Sequence, residues 1–323
     1  MRRLLPFLVL AGCSRPSVPA ATTSAPAAAG GATATPIAAE ALMAHARALA
    51  ADSMEGRAIG TPGGARARAY VLRAFRDAGL QPIGASFEVP FEARARDGAT
   101  RSGVNLVGVV RGRTDPERYL VVSAHYDHVG VRDGQTYNGA DDNASGTGAL
   151  IEIARALAAR PPEHSVIVAA FDGEEIGLQG AQAFVRTPPV PLARVVLNVN
   201  MDMVGRNARN ELYAAGASHS PFLRPFLDSV AARAPITLRL GHDDPNGPRQ
   251  DDWTSQSDQG AFHRARVPFV YFGVEDHPDY HKPTDDAERL MPAFYAGAAS
   301  TVLDAVRTLD RHLAAIDAAR PRP

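Results

Sequence analysis

Four stretches of the chain are mostly apolar, rich in β-branched residues and followed within a few residues by acidic residues or histidine. They are residues 119–124, 165–171, 194–200 and 267–272. Strands buried on both faces of a parallel sheet have this pattern, because helices cover the two faces. A further strand is predicted over 104–110, and the alternating stretch 87–91 is typical of an edge strand.

Helical spacing of apolar residues occurs between these strands. The predicted helices cover residues 36–51, 65–79, 147–159, 181–186, 221–233 and, as one long closing helix with little or no interruption, 290–318. Strands that alternate with helices indicate a three-layer α/β/α fold around a mostly parallel sheet. The polar stretch 240–259 contains Trp253, the only tryptophan, and is predicted to be a long loop near the functional site.

The composition fits a globular chain of one large or two small domains, with 323 residues and 45% hydrophobic content. The formal net charge of −1 gives no indication of a nucleic-acid partner. No protein partner is evident either.

The beginning of the chain resembles an export signal. Residues 1–3 are basic, and residues 4–11 form an apolar run too short to span a bilayer. Residues 10–13 resemble a bacterial lipobox, so we expect cleavage before Cys13 and attachment of lipid to this only cysteine. Ser14 then favours the outer membrane, with the protein facing the periplasm. The alternative is an ordinary signal peptide that happens to contain a cysteine.

A flexible tether is predicted after this signal. Residues 14–36 are rich in Ala, Pro, Thr, Ser and Gly and show no helical or strand periodicity. Residues 37–323 are then interpreted as a single domain. Lipid at Cys13 would attach that domain to a membrane without a transmembrane helix.

Histidines and carboxylates follow the ends of the predicted buried strands. His125, Glu175 and Asp202 each lie within a few residues of such an end, and Asp142 and His281 lie in loops beyond. A doubly wound sheet brings these loops to one rim. Because carboxylates gathered there repel one another without a cation, we expect a metal. The nitrogen and oxygen ligand set suits zinc.

Six stretches of the sequence resemble the zinc aminopeptidases of the M28 peptidase family. They are E-G-R-A-I-G-T-P-G, S-A-H-Y-D-H-V, N-G-A-D-D-N-A-S-G, F-D-G-E-E-I-G-L-Q-G-A, N-V-N-M-D-M-V-G and Y-H-K-P-T-D-D. They occur in the family's order across about residues 38–315. The resemblance implies a zinc-exopeptidase (phosphorylase/hydrolase-like) fold with a mostly parallel, mixed central sheet.

The resemblance also implies two zinc ions per chain. His125 and Asp202 would bind one zinc, Glu175 and His281 would bind the other, and Asp142 would bridge both. The family pattern favours Asp142 over its neighbour, because the ligand directly precedes Asn-Ala-Ser-Gly. The implied activity is that of a di-zinc aminopeptidase, which removes N-terminal residues from peptides that have a free N-terminus.

Three further residues take catalytic roles by the same resemblance. Glu174 would be the general base that activates a water shared by the metals, and Tyr280 would donate to the oxyanion. Asp127 would accept the ring N–H of His125. The family also has a cis peptide bond after the bridging aspartate, here Asp142.

Several polar residues near these motifs receive plainer interpretations. His128 either packs at the surface or within a loop, which is the preferred interpretation, or contacts a metal ligand. Asp285 either supports His281 or is a solvated loop residue. Residues 251–253 fit a pocket border and a surface loop equally well. Residues 257–259 depart from a Ser-Asp-His found in relatives, so one pocket contact is expected to be missing.

Competing functions remain open on the sequence. Zinc carboxypeptidases and deacylases have a similar ligand order but insert a domain-sized segment between the last two ligands, and the interval from Asp202 to His281 is too short for it. A glutaminyl cyclase shares the fold but uses one zinc, and His125 favours two. A binding lipoprotein on an inactive enzyme scaffold would not need all of these residues.

Overall fold

The four buried apolar stretches form adjacent parallel strands at the centre of one mixed sheet, in a computed structural model that describes residues 36–94 and 98–321. The strands are β1 Gln81–Pro82, β2 Glu88–Arg94, β3 Thr100–Val110, β4 Asp115–His125, β5 Gly130–Arg132, β6 Gln135–Tyr137, β7 His164–Phe171, β8 Val195–Asp202, β9 Glu211–Ala215, β10 Thr237–Leu240 and β11 Phe269–Gly273. The central order is β7-β4-β8-β11, with all three of these pairings parallel.

Antiparallel neighbours flank this parallel centre. β3 pairs with β7 on one side and carries β1 and β2, and β9 pairs with β11 on the other side and carries β10. β5 and β6 form a separate hairpin. The prediction of a mixed sheet with a parallel centre is therefore confirmed.

Helices cover both faces of the sheet. They are α1 Ala39–Leu49, α2 Pro62–Asp77, α3 Gly146–Ala159, α4 Gln179–Arg186, α5 Arg224–Ala231, α6 Gln259–Arg264, α7 Pro292–Arg311 and α8 Leu313–Ala319. Leu120 and Val122 of β4 pack in the larger core with α1, α3 and α7, whereas Val121 packs in the smaller core with α4 and α6. Successive side chains of a strand point to opposite faces, so these two cores establish the three layers.

The helix boundaries differ from the predicted ones for identifiable reasons. α2 begins three residues before the predicted start, because the Thr61 side chain accepts from the backbone N–H of Gly64 and Pro62 occupies the first turn. The predicted closing helix is present with little interruption: it begins at Pro292, and the backbone leaves the helical region only at His312, which divides it into α7 and α8. β9 and α6 were not predicted from the sequence.

The parallel strands present their carboxyl ends at one edge of the sheet. His125 is the last residue of β4 and pairs in register with Phe171 of β7, while Asp202 ends β8 and pairs with Gly273 of β11. Four strands therefore end side by side, as ligand sites in open α/β sheets require.

Residues 1–35, and so the predicted signal and nearly all of the predicted tether, lie outside the described residues. Within 36–94 and 98–321, no helix combines the length and apolar character needed to cross a membrane.

Candidate metal centre

Four side chains direct one potential ligand atom each into a single small volume, with these atoms within 4.8 Å of one another. They are His128, Asp142, Glu175 and His281. His281 Nε2 lies 3.0 Å from Asp142 Oδ2 and 3.2 Å from Glu175 Oε2. His128 Nδ1 lies 2.7 Å from Glu175 Oε1 and 3.7 Å from Asp142 Oδ2. We refer to these four residues as the inner cluster.

A second group, the outer cluster, consists of His125, Glu174 and Asp202. His125 Nε2 lies 3.3 Å from Asp202 Oδ1 and 3.4 Å from Asp142 Oδ1. Asp142 therefore presents one carboxylate oxygen to each cluster. This is the arrangement that a bridging ligand requires, and all five residues predicted as ligands meet here.

The donor atoms of both clusters fit zinc. Among the described residues, buried side-chain atoms without a hydrogen-bond partner include His125 Nε2, Asp202 Oδ1, Glu175 Oε1 and both ring nitrogens of His128. Burial of a polar atom without a partner costs free energy, so such atoms are rare unless something else satisfies them. Histidine nitrogens and carboxylate oxygens are zinc's usual ligands alongside thiolates.

The backbone before α3 is held so that Asp142 points into the site. The turn Ala140–Ser145 contains a cis peptide bond between Asp142 and Asn143, as the family resemblance predicts. The carboxylate of Asp285 accepts from the backbone N–H groups of Asp141 and Asp142 at 3.0–3.1 Å. Asp285 thus supports the loop of the bridging residue rather than His281.

Asp141 is turned away from both clusters. Its carboxylate accepts from the backbone N–H of Gly205 at 2.7 Å and lies 3.1 Å from Nε2 of His277. The choice of Asp142 over Asp141 as the residue facing the site therefore agrees with the geometry.

Asp127 has different partners from those predicted. His125 Nδ1 bonds the backbone carbonyl of Asp127 at 3.2 Å, while the nearest carboxylate oxygen lies 3.6 Å away. The carboxylate instead accepts from the backbone N–H groups of Glu174 at 3.1 Å and Glu175 at 3.3 Å. The two oxygens of this carboxylate thus accept from two successive N–H groups of the turn after β7. Asp127 therefore positions Glu174 of the outer cluster and Glu175 of the inner cluster.

His128 is the residue that sequence reasoning missed. Its side chain is completely buried in the inner cluster, so a surface position is wrong and the alternative, contact with a metal ligand, agrees with the geometry. The available signal was its place in the loop directly after β4, three positions beyond His125.

Local charges perturb the site's acids and bases. Burial raises the pKa of Glu174 well above its usual range, Asp202, Asp258 and Glu175 raise it further, and His125 opposes them. Burial lowers the pKa of His281, but hydrogen bonds to Asp142 and Glu175 outweigh it and raise the value to about 10. The excess of carboxylates therefore favours added positive charge.

A cavity of about 260 Å³ opens beside the two clusters. Its wall includes Glu174, Tyr280 and His281, and Trp253 contributes an aromatic side. Trp253 stacks on His242 with ring centroids 3.8 Å apart, which fixes the indole in the loop after β10. Residues 251–253 are all described by the structure, and of these three only Trp253 lines the cavity.

The segment that departs from Ser-Asp-His is also buried. Gln259 accepts from the side-chain amide of Asn200 at 3.0 Å and donates to the carbonyl of Trp253 at 2.7 Å. Asp258 is fully buried, neither of its carboxylate oxygens has a hydrogen-bond partner, and burial raises its pKa to about 8. Gln259 therefore ties the loop of Trp253 to β8.

Comparison with known sequences places this site in a family. The aminopeptidase YwaD of Bacillus subtilis is 29% identical over 216 residues, which is 62% of this chain and 44% of that protein. A probable zinc metalloprotease of Leptosphaeria maculans is 38% identical over 130 residues, 39% of this chain and 28% of that protein. The matched region thus spans less than half of each relative.

Solved structures show the same fold. A zinc aminopeptidase from B. subtilis, BSAP, superposes with a TM-score of 0.69 at 18% identity, covering 84% of this chain and 95% of that one. The glutaminyl cyclase of Porphyromonas gingivalis gives 0.70 at 20% identity, covering 85% and 98%. The model of peptidase family M28 matches residues 105–306, which include all five predicted ligands. The chain therefore belongs to peptidase family M28.

Proposed function

We propose that this protein is a di-zinc aminopeptidase that removes N-terminal residues from peptides. The observation that carries the proposal is the division of one carboxylate between two clusters: Asp142 directs Oδ1 toward His125 and Oδ2 toward His281. Membership of a peptidase family and the presence of zinc aminopeptidases among the relatives support it.

The metal sites follow from the clusters. His125 and Asp202 would hold one zinc, Glu175 and His281 would hold the other, and Asp142 would contact both. Bound zinc would supply a Lewis acid that polarises the scissile carbonyl and lowers the pKa of a water ligand to about 7.

Glu174 is placed to carry the proton. Its side chain lines the cavity within the outer cluster, and Asp127 accepts from its backbone N–H, which positions the backbone of Glu174. In the proposed reaction Glu174 accepts a proton from the attacking water and donates it to the leaving amine. A pKa raised by burial makes the carboxylate a stronger base and so favours the first of these transfers.

Tyr280 is placed to stabilise the developing oxyanion. Its ring stacks on that of His281 with centroids 4.0 Å apart and forms part of the cavity wall. Burial and the negative charge of Asp142 raise the pKa of Tyr280, so the phenol keeps its proton and can donate it in a hydrogen bond.

The cavity suits a substrate with a free N-terminus. Glu174, Asp202 and Asp276 supply negative charge for an α-ammonium group. Trp253 and Val274 line the same cavity and supply apolar surface for a side chain. A cavity of about 260 Å³ suits an end of a peptide better than its middle.

The test is hydrolysis of matched peptides by the purified protein with zinc, each supplied with a free and with an acetylated N-terminus. Release of the first residue from the free forms only is the expected result. Cleavage of both forms, or of neither, contradicts the proposal. A peptide with N-terminal glutamine separates a cyclase, because cyclisation releases ammonia and leaves the chain length unchanged.

We also propose export and lipid attachment at Cys13, which rest on the pattern of residues 1–13. Labelling of cells with a radioactive fatty acid should mark the wild-type protein but not Cys13→Ala. Equal labelling of both, or labelling of neither, contradicts the proposal.

A further inference from the structure

The side chain of His128 is buried among the predicted metal ligands, although the prediction does not include it as a ligand. Its side chain is 0% exposed, and its Nδ1 lies 2.7 Å from Glu175 Oε1. Neither of these two atoms makes a hydrogen bond, and Nε2 of the ring has no partner either. A buried imidazole with both nitrogens unsatisfied needs another source of stabilisation.

We propose that His128 is a fourth protein ligand of the inner metal, so that the inner cluster closes around its zinc while the outer site stays open. The inference deepens the proposed function, because it rests on the metal loading proposed there. It assigns the inner zinc His128, Asp142, Glu175 and His281, and leaves the outer zinc His125, Asp142 and Asp202.

The separations within the inner cluster match a shared ion. Zinc binds histidine nitrogen and carboxylate oxygen at about 2.0–2.2 Å, which in a tetrahedron separates neighbouring ligand atoms by about 3.3–3.6 Å. The inner cluster has separations of 3.0 and 3.2 Å from His281, and 2.7 and 3.7 Å from His128. The two separations from His128 lie on either side of the expected range, and the two from His281 lie just below it.

A simple hydrogen bond from His128 to Glu175 is the competing explanation. The two atoms are close enough for one, but their relative orientation does not form it. Two ligand atoms of one metal ion are close together but point at the ion instead of at each other, so they lack hydrogen-bond geometry. The ring is also held in place by Gly139, where a Cβ would lie 2.4 Å from Cδ2 of His128.

Unequal metal sites follow from unequal ligand numbers. Zinc sites with four protein ligands are of the structural type, whereas catalytic sites have three and keep one position free. The inner zinc should therefore bind first and tightly, and the outer zinc should bind second and exchange more readily. The open position lies in the cluster that contains Glu174.

X-ray absorption on metal-free wild-type protein loaded with one equivalent of zinc tests the assignment directly. Two imidazole nitrogens around the first zinc are expected. One imidazole would overturn the proposal, whether the zinc occupies the inner site without His128 or the outer site. This measurement needs no variant and no activity, so it stands apart from the peptide assay, whose failure would refute the proposed function alone.

His128→Gln supplies a second measurement. Its first zinc should show one imidazole, and its affinity in competition with a chromophoric chelator should fall by about 100-fold or more, beyond the usual effect of losing a ligand's partner. His263→Gln, which changes a half-buried histidine of α6 outside both clusters, is the matched control and should retain wild-type binding. Two imidazoles and unchanged affinity in His128→Gln would overturn the proposal.

Discussion

The guanidinium of Arg57 donates to the carbonyl oxygen of Gly139 at 2.9 Å, just before the turn that carries Asp142. It also donates to the carbonyl of Tyr126 at 2.9 Å, between His125 and Asp127 on the other ligand loop. Arg57 is 0% exposed, and burial lowers its pKa to about 10 while the surrounding carboxylates oppose that shift. One buried cation thus joins the two loops that hold the clusters.

Replacement of Arg57 should therefore affect stability and metal binding together. In Arg57→Met the buried carbonyl oxygens lose their charged donor, and we expect the free energy of unfolding to fall by about 3–5 kcal/mol, because each unsatisfied group costs about 1–3 kcal/mol. Arg57→Lys keeps the charge but cannot reproduce the fork of donors, so an intermediate loss is expected. Urea unfolding of the metal-free variants measures the first effect, and zinc content after dialysis measures the second.

The two variants separate charge from geometry. Full recovery in Arg57→Lys would show that only the charge of Arg57 matters. Wild-type stability and zinc content in Arg57→Met would contradict the role of this side chain altogether.

Gly139 has no room for a side chain. Its φ is +56°, and a Cβ there would lie 2.2 Å from the carbonyl oxygen of Asp142. Gly139→Ala should therefore displace the bridging carboxylate and lower zinc content, measured by mass spectrometry of the metal. Gly134→Ala is the matched control, because Gly134 also has positive φ (+73°) but nothing within 4 Å of its Cβ position. Equal zinc content in the two variants would contradict the expectation.

The sequence predicts the central sheet and the placement of the ligands because both depend on strong local patterns. Buried strands are continuous apolar runs, and a residue at the end of such a run, such as His125 or Asp202, must lie at the carboxyl edge. β9 escaped prediction because Glu211 and Tyr213 interrupt its apolar character. α6 escaped because six residues are too few to show helical periodicity.

The orientation of side chains within loops could not be predicted from the sequence. His128 was expected to pack at the surface or in a loop, and Asp285 to support His281 or to be solvated, yet both are buried and have other partners. Their positions depend on contacts with other loops. The carboxylate of Asp285, for example, accepts hydrogen bonds from the backbone N–H groups of Asp141 and Asp142, which are distant in sequence. No local sequence pattern indicates a hydrogen bond between loops so far apart in the chain.

Glu152 should give the protein a stability that depends on acid pH. A hydrogen bond from His45 at 3.0 Å lowers its pKa, with burial opposing the shift. A lowered folded-state pKa contributes stability above the unfolded value of about 4.3, and this contribution is lost as the pH falls through the folded value.

Glu152→Gln should therefore lower the free energy of unfolding at about pH 7 and have a smaller effect at about pH 3, because the wild-type contribution declines as the pH falls below the unfolded pKa of about 4.3. Chemical unfolding of the two proteins at both pH values checks this. Glu288→Gln, at an exposed glutamate, should show no such difference between the two pH values. An effect of Glu152→Gln that is the same at both pH values would contradict the linkage.

Glu174 and Glu175 are adjacent in sequence and bound through their N–H groups to the same carboxylate, yet they are proposed to act differently. Glu174→Gln preserves the shape of the side chain but removes its ability to accept a proton. We expect kcat to fall by about 10²–10⁴-fold, the usual contribution of general acid–base catalysis, with zinc content unchanged. Glu175→Gln should instead release zinc, because it removes a charged ligand of the inner cluster. Measurement of peptide hydrolysis and zinc content in both variants decides the matter: substantial turnover by Glu174→Gln would remove Glu174 from its proposed role, whereas loss of zinc from that variant would make it a ligand instead of a base.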